Sequence, residues 1–288
     1  MLSDQGLIDM KNVWHLAHGK RIDLLEEAIL MGILNITPDS FSDGGSYFCF
    51  EKAIAAAHRM IGEGAHIIDV GGESTRPGAQ AVDSATEQAR VLEVVSSLAA
   101  DGIIISVDTY RAETAYLAVK AGAHIINDVW GLQKDSSLSG VVGETGAGVV
   151  VMHTGRGRER TKDVMADQKN FFYASLDIAH QAGIKDEQIV LDPGFGFAKT
   201  RDENIALMRH ASDCRIFGFP LLAGTSRKRF IGDITNKKNP RDRDIATGAT
   251  CVILRMSGFN IFRVHNISVN RDALAIADAL RRGGRSVF

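Results

Sequence analysis

Short apolar runs recur along the chain, and each stops at a polar or charged residue. They lead to Asn35, Asp69, Asp108, Asn127, His153, Asp192, Ser226 and the pair Arg263/His265. The runs predict strands over 31–36, 67–70, 103–108, 124–127, 148–153, 189–192, 220–224 and 261–265. Between them, apolar residues return at helical spacing, as Ala53, Ile54, Ala57, Met60 and Ile61 do over 51–62. Further helices are expected over 84–99, 111–121, 136–144, 169–183, 203–210, 245–256 and 271–281. The stretch 155–168 is rich in charge and lacks an apolar face, so it is expected to be an exposed, mobile loop.

Strands that alternate with helices imply a parallel sheet, and eight such units imply closure. The predicted fold is a single-domain (β/α)8 TIM barrel over residues 1–288, with the barrel in 31–288 and a cap segment in 1–30. In that segment, 13–17 and 21–24 flank a His18-Gly19-Lys20 turn. They predict a β-hairpin under the barrel that buries Trp14 and Leu16. An open doubly wound sheet is the alternative; it usually places a glycine-rich dinucleotide loop after its first strand, and NITPDSFSDGG is not one.

In a closed barrel of this kind the carboxyl ends of the strands form the functional face. Asp108, Asn127, Asp192 and Lys228 lie at or just past strand ends. Such a set matches a planar ring carrying both donors and acceptors, because a mispaired polar group in a buried pocket costs about 1–3 kcal/mol. Each residue taken singly is equally well explained as a helix cap or a supporting group. Arg263 and His265 alternate on the last strand and face the same way. Ser226, Arg227 and Lys228 open the helix after the seventh strand. Together they point to a phosphate or diphosphate site, against the alternative that Arg263 forms a structural ion pair.

Asn35, with Asp39 and Asp43 of the first loop, offers oxygen ligands for Mg²⁺, although turn chemistry alone also explains that loop. The loop GGESTRPGA carries Thr75 and Arg76 between glycines, and the two loops together suggest lids. His153 is expected to be hydrogen-bonded scaffold. Phe195 and Phe197 are each equally an apolar wall or buried core.

Bulk properties narrow the partners. With 288 residues, 45% of them hydrophobic, the chain can bury a large core. A net charge of −2 supplies no general field for nucleic acid or an acidic membrane, so any anion site is local. Cys49, Cys214 and Cys251 form no CxxC pair and fit a reducing cytoplasm. No apolar stretch nears the ~20 residues that span a bilayer, and the first residues lack a signal-peptide pattern.

The segments MGILNITPDSFSDGG, IIDVGGESTRPGA, ISVDT, INDV, LDPGFGFAK, GTSRK and FRVH occur in this order. That ordered set, spanning roughly 31–280, resembles the dihydropteroate synthase family of the pterin-binding barrel superfamily. The resemblance implies a transferase that joins 6-hydroxymethyl-7,8-dihydropterin diphosphate to 4-aminobenzoate, giving 7,8-dihydropteroate and diphosphate. It implies that Asp108, Asn127, Asp192 and Lys228 bind the pterin, with Met152 and Phe197 lining the pocket and Asp108, Asp192 and Lys228 catalytic. It places the diphosphate and Mg²⁺ at Asn35, Arg263 and His265, with Asn35 as metal ligand. It places 4-aminobenzoate, and sulfonamide inhibitors, at Phe41, Thr75, Arg76, Pro77 and Ser226. A homodimer is implied by the family alone.

Three positions depart from the family pattern. Asn266 stands where Asp is usual, TGRGRERTKD is longer and more basic than expected, and Ala198 replaces a common Gly. The last is a minor change provided that backbone has negative φ. Two rivals remain: a methyltransferase of the same superfamily acting on a corrinoid, and an inactive pterin-binding paralogue.

Overall fold

Runs of Val, Ile and Leu buried on both faces form the strands of a parallel barrel. The computed structural model describes residues 12–36, 46–73 and 82–283. A hairpin of β1 (Val13–His15) and β2 (Arg21–Asp23) precedes β3 (Ile29–Asn35), β4 (Ile67–Gly71), β5 (Ile105–Asp108), β6 (Ile125–Asp128), β7 (Gly148–Met152), β8 (Ile189–Asp192), β9 (Leu222–Ala223) and β10 (Ile261–Val264). The strands alternate with α1 (Ser46–Glu63), α2 (Ser84–Ala100), α3 (Ala112–Lys120), α4 (Leu138–Thr145), α5 (Val164–Gln181), α6 (Arg201–Arg209), α7 (Arg229–Thr235), α8 (Asp244–Met256) and α9 (Ile267–Gly283). The sheet order is β8-β7-β6-β5-β4-β3-β10-β9, and a parallel bridge between Leu191 and Leu221 joins its two ends. The expected TIM barrel and its separate hairpin are both present.

Register sorts the interior into layers. Ile29, Met31, Ile67, Ile125, Val150, Val190, Leu222 and Ile261 pack inside the lower barrel with Trp14, Leu16, Ile22 and Leu24 of the hairpin. Trp14 is fully buried, and its Nε1 donates to Gln188 O at 2.8 Å, which seals that end. Above this apolar layer the inward positions turn polar. Asn35, Gly71, Asp108 and Asn127 form one row across four adjacent strands. Asp69 and Ser106 are partners one level lower.

Caps at helix N-termini hold the loops of the functional end. Asp83 accepts from Thr86 N at 2.7 Å at the start of α2, and Asp163 from Met165 N at 2.8 Å at the start of α5. Thr200 and Glu203 close a capping box on α6, with Thr200 N donating to Glu203 Oε2 at 2.6 Å.

Some boundaries depart from the sequence reading. The stretch 155–168 is not a loop throughout: Asp163 caps α5 five residues early, and Val164, Asp167 and Gln168 are buried. The last helix starts at Ile267, because Asn266 Oδ1 accepts Val269 N at 3.2 Å. The seventh barrel strand shrinks to Leu222–Ala223, since Pro220 before it has no N–H to donate. No helix among the described residues is long and apolar enough to cross a membrane.

Candidate active site

The polar row converges on one carboxylate. Asp69, fully buried, accepts through Oδ2 from Arg263 Nε at 2.6 Å and from Asn127 Nδ2 at 3.2 Å. Arg263 Nη2 also donates to Asp108 Oδ2 at 2.8 Å. The ion pair offered as the alternative for Arg263 is therefore real, and it lies within the mouth. Asp69 and Asp108 hold the Arg263 pKa above its usual value in spite of burial. Burial pushes Asp108 up to about 7, against the pull of Arg263 and with the help of the Asp69 charge. Asn35 sits in the same row; a Cβ on the intervening Gly71 would lie 3.5 Å from its Oδ1 and 3.6 Å from Asp108 Cβ.

The second half of the mouth centres on Asp192. Burial raises its pKa to about 6, opposed by the Gly194 N–H at 2.7 Å and by Lys228. Burial and the Arg263 charge lower Lys228 to about 8, while Asp192 favours its charged form. The Lys228 ammonium lies 4.1 Å from the centre of the Phe197 ring. Phe197 packs with Val129, Met152 and Trp130, so it forms the apolar wall; Phe195 instead stacks on Phe230 in the core. Ser226 Oγ lies 2.9 Å from His265 Nδ1, which brings the two predicted anion-site residues together.

Supporting contacts explain how the loops hold their places. His153 is scaffold: its Nε2 meets Asp167 Oδ2 at 3.0 Å, and burial lowers its pKa to about 3, so it stays neutral. Arg158 donates to Asp167 Oδ1 at 3.0 Å, and Arg160 to Ala198 O at 2.6 Å. These two arginines tie the basic loop down, and Arg156 Cζ rests 4.6 Å from the Phe197 ring centre. The loop expected to be mobile is thus anchored at several points, although Gly157 and residues 159–163 are exposed. Arg111 bonds both Glu73 of the second loop and Val82 beyond it. Ala198 has φ of 50°, so the condition under which its replacement of Gly was minor is not met. Asn266 Nδ2 donates to Asp244 Oδ2 at 2.9 Å, and Asp244 also pairs with Arg227; an Asp at 266 could not make that donation.

Phe41, Thr75, Arg76 and Pro77 lie outside the described residues, as do Asp39 and Asp43. Among the described residues no three His, Cys, Asp or Glu side chains form a metal cage. Asn35 nonetheless supplies an amide oxygen, the donor type that suits a magnesium ion arriving on phosphate oxygens and retaining most of its waters. Sequence reasoning missed the structural weight of Asp69, Lys199 and Arg156. Lys199 donates to Gly194 O at 2.7 Å, and burial lowers its pKa to about 7 against the attraction of Asp192. Its position in the GFGFAK segment was the available signal.

Comparisons with known proteins agree on one family. The family model described as pterin binding enzyme matches residues 31–265. Dihydropteroate synthase of Bacillus subtilis is 43% identical over 282 residues, covering 97% of this chain and 98% of that protein. The structure of Xanthomonas albilineans dihydropteroate synthase with 4-aminobenzoic acid aligns with a TM-score of 0.88 at 37% identity, covering 96% of this chain and all of that one (100%). A Yersinia pestis dihydropteroate synthase in complex with a sulfonamide drug aligns with a TM-score of 0.85 at 39% identity, covering 93% and 99% of the two chains.

Proposed function

We propose that this chain, which belongs to the pterin-binding enzyme family, acts as a dihydropteroate synthase, a transferase joining 6-hydroxymethyl-7,8-dihydropterin diphosphate to 4-aminobenzoate. The observation that carries the reading is the buried row of Asp108 and Asn127 beside Asp192, Lys228 and Arg263 at one barrel mouth. A pterin edge, with its ring donors and acceptors, satisfies such a set, and Met152 and Phe197 supply the apolar wall. A corrinoid-directed methyltransferase has no use for a diphosphate site beside Ser226, Arg263 and His265.

In the proposed reaction the C–O bond to the diphosphate breaks first, and its electron pair leaves with the diphosphate. The positive charge left on the pterin is spread over the ring, where ionised Asp108 and Asp192 stabilise it. The aminobenzoate amine then forms the C–N bond and loses a proton. Asn35, Arg263 and His265 hold the departing diphosphate; Asn35 would also ligate Mg²⁺, which when bound offsets the charge of the leaving group. Ser226 takes the aminobenzoate carboxylate, with Phe41, Thr75, Arg76 and Pro77 completing that subsite. No covalent enzyme intermediate is required.

The reading is tested with pterin diphosphate carrying ¹⁸O in its bridging position. Departure before attack scrambles that label into the non-bridging oxygens during turnover. Dihydropteroate formation with no scrambling, even at low aminobenzoate, would leave the activity and remove the order of steps.

A cytoplasmic homodimer completes the proposal. Free, buried Cys214 and Cys251, their thiols pushed up to about 12 by burial, suit a reducing compartment. Exposed Ile245, Ile253 and Met256 on α8, and Ile276 and Leu280 on α9, are candidates for the dimer face. Sedimentation of an Ile253→Glu variant checks this, a shift to monomer being expected.

A further inference from the structure

Asp69 has no assigned part in the reaction, yet two site residues depend on it. Its Oδ2 accepts from Arg263 Nε at 2.6 Å and from Asn127 Nδ2 at 3.2 Å, while Asp69 itself is fully buried a level below the row of Asp108 and Asn127. Its other oxygen, Oδ1, is buried with no hydrogen-bonding partner, as is Ser106 Oγ on the neighbouring strand. Beyond its ion pair with Arg263, a buried carboxylate with one unsatisfied oxygen brings a desolvation cost to the fold. What the carboxylate does supply is polarity of one kind. An ionised carboxylate only accepts.

That restriction fixes the orientation of its neighbour. The two ends of an amide differ, and only the nitrogen end can face an acceptor. With Nδ2 committed to Asp69, the Asn127 carbonyl oxygen must be turned the other way. We infer that Asp69 is a positioning residue that fixes Asn127 as a hydrogen-bond acceptor toward the ring, and so makes the site select a pterin edge that presents a donor. The same oxygen, together with Asp108, holds the Arg263 guanidinium at two of its three nitrogens, which sets the plane it offers to the diphosphate.

This rests on the pterin-binding reading, and the test separates the two. Binding is measured by calorimetry for 6-hydroxymethylpterin and for its 2-desamino analogue, in which the 2-amino donor is replaced by hydrogen. In the wild-type protein the pterin is expected to bind on the order of 10- to 100-fold more tightly, the effect of leaving a buried acceptor unpaired. Asp69→Ala removes the oxygen that takes Nδ2, so Asn127 is free to reverse. The preference for pterin should fall to within about threefold on that argument. The double variant Asp69→Ala with Asn127→Asp places at 127 a carboxylate, which can only accept from the ring, and the preference should return.

A purely structural role would weaken both ligands together and would not be rescued by adding Asn127→Asp. An unchanged preference in Asp69→Ala, or a double variant that folds but fails to restore it, overturns the inference. A wild-type protein that binds neither ring overturns the function on which the inference rests.

Discussion

Gly194→Ala tests how the loop after β8 delivers Asp192. Gly194 has φ of 68°, and a Cβ there would lie 1.9 Å from His153 O. Alanine in the left-handed region costs about 1–2 kcal/mol. The overlap is with backbone, so the two loops must separate by about 1 Å, and overpacking of that kind costs about 1–3 kcal/mol more. A total of roughly 2–5 kcal/mol corresponds to a Tm lower by roughly 3–8 °C for a chain of this size. The shift also reaches the chemistry, because Gly194 N donates to Asp192 Oδ1 at 2.7 Å. A displacement of about 1 Å at a reacting centre lowers kcat/KM by about 100-fold. Gly146→Ala is the control: its φ is 67°, but nothing lies within 4 Å of the added Cβ. It should lose a few degrees of Tm and no activity. Scanning calorimetry and steady-state kinetics measure both effects. A Gly194→Ala protein indistinguishable from Gly146→Ala would refute the geometric argument.

Lys228→Ala and Asp192→Ala should each lower kcat by about 100-fold or more, as loss of one preorganised charge does in a buried site; near-normal turnover in either variant removes that residue from the assignment. Burial raises Asp108 to about 7 and Asp192 to about 6, and both must be ionised to stabilise a cation. Thus kcat/KM should fall as pH drops through 7 and 6, and fall again as pH rises through about 8, where Lys228 loses its charge, while a profile flat down to pH 5 would contradict the role of the two carboxylates. Sulfonamides should compete with 4-aminobenzoate and not with the pterin diphosphate; a non-competitive pattern against aminobenzoate would sink the proposed subsite.

The barrel was legible because its signals are local. Each strand is a short apolar run that ends in a polar residue, and such a run reads the same in sequence and in space. Asp108 and Asn127 could be matched for that reason, being partners on adjacent strands. The Asp69–Arg263 contact was not legible, because it joins β4 to β10 and exists only once the barrel has closed. The start of α5 was hidden for another reason. Asp163 reads as one more charge in a polar stretch, and only its bond to Met165 N marks it as a cap. The left-handed backbone at Ala198 likewise follows from the loop around it, whose carbonyl Arg160 holds, and not from the alanine itself.

The most direct test of the central claim is release of diphosphate from 6-hydroxymethyl-7,8-dihydropterin diphosphate, followed with and without 4-aminobenzoate and Mg²⁺. The account predicts sustained release only with both present, matched mole for mole by dihydropteroate. Tight pterin binding with no release under any of these conditions would contradict it and identify the chain as a pterin-binding protein that does not catalyse the transfer.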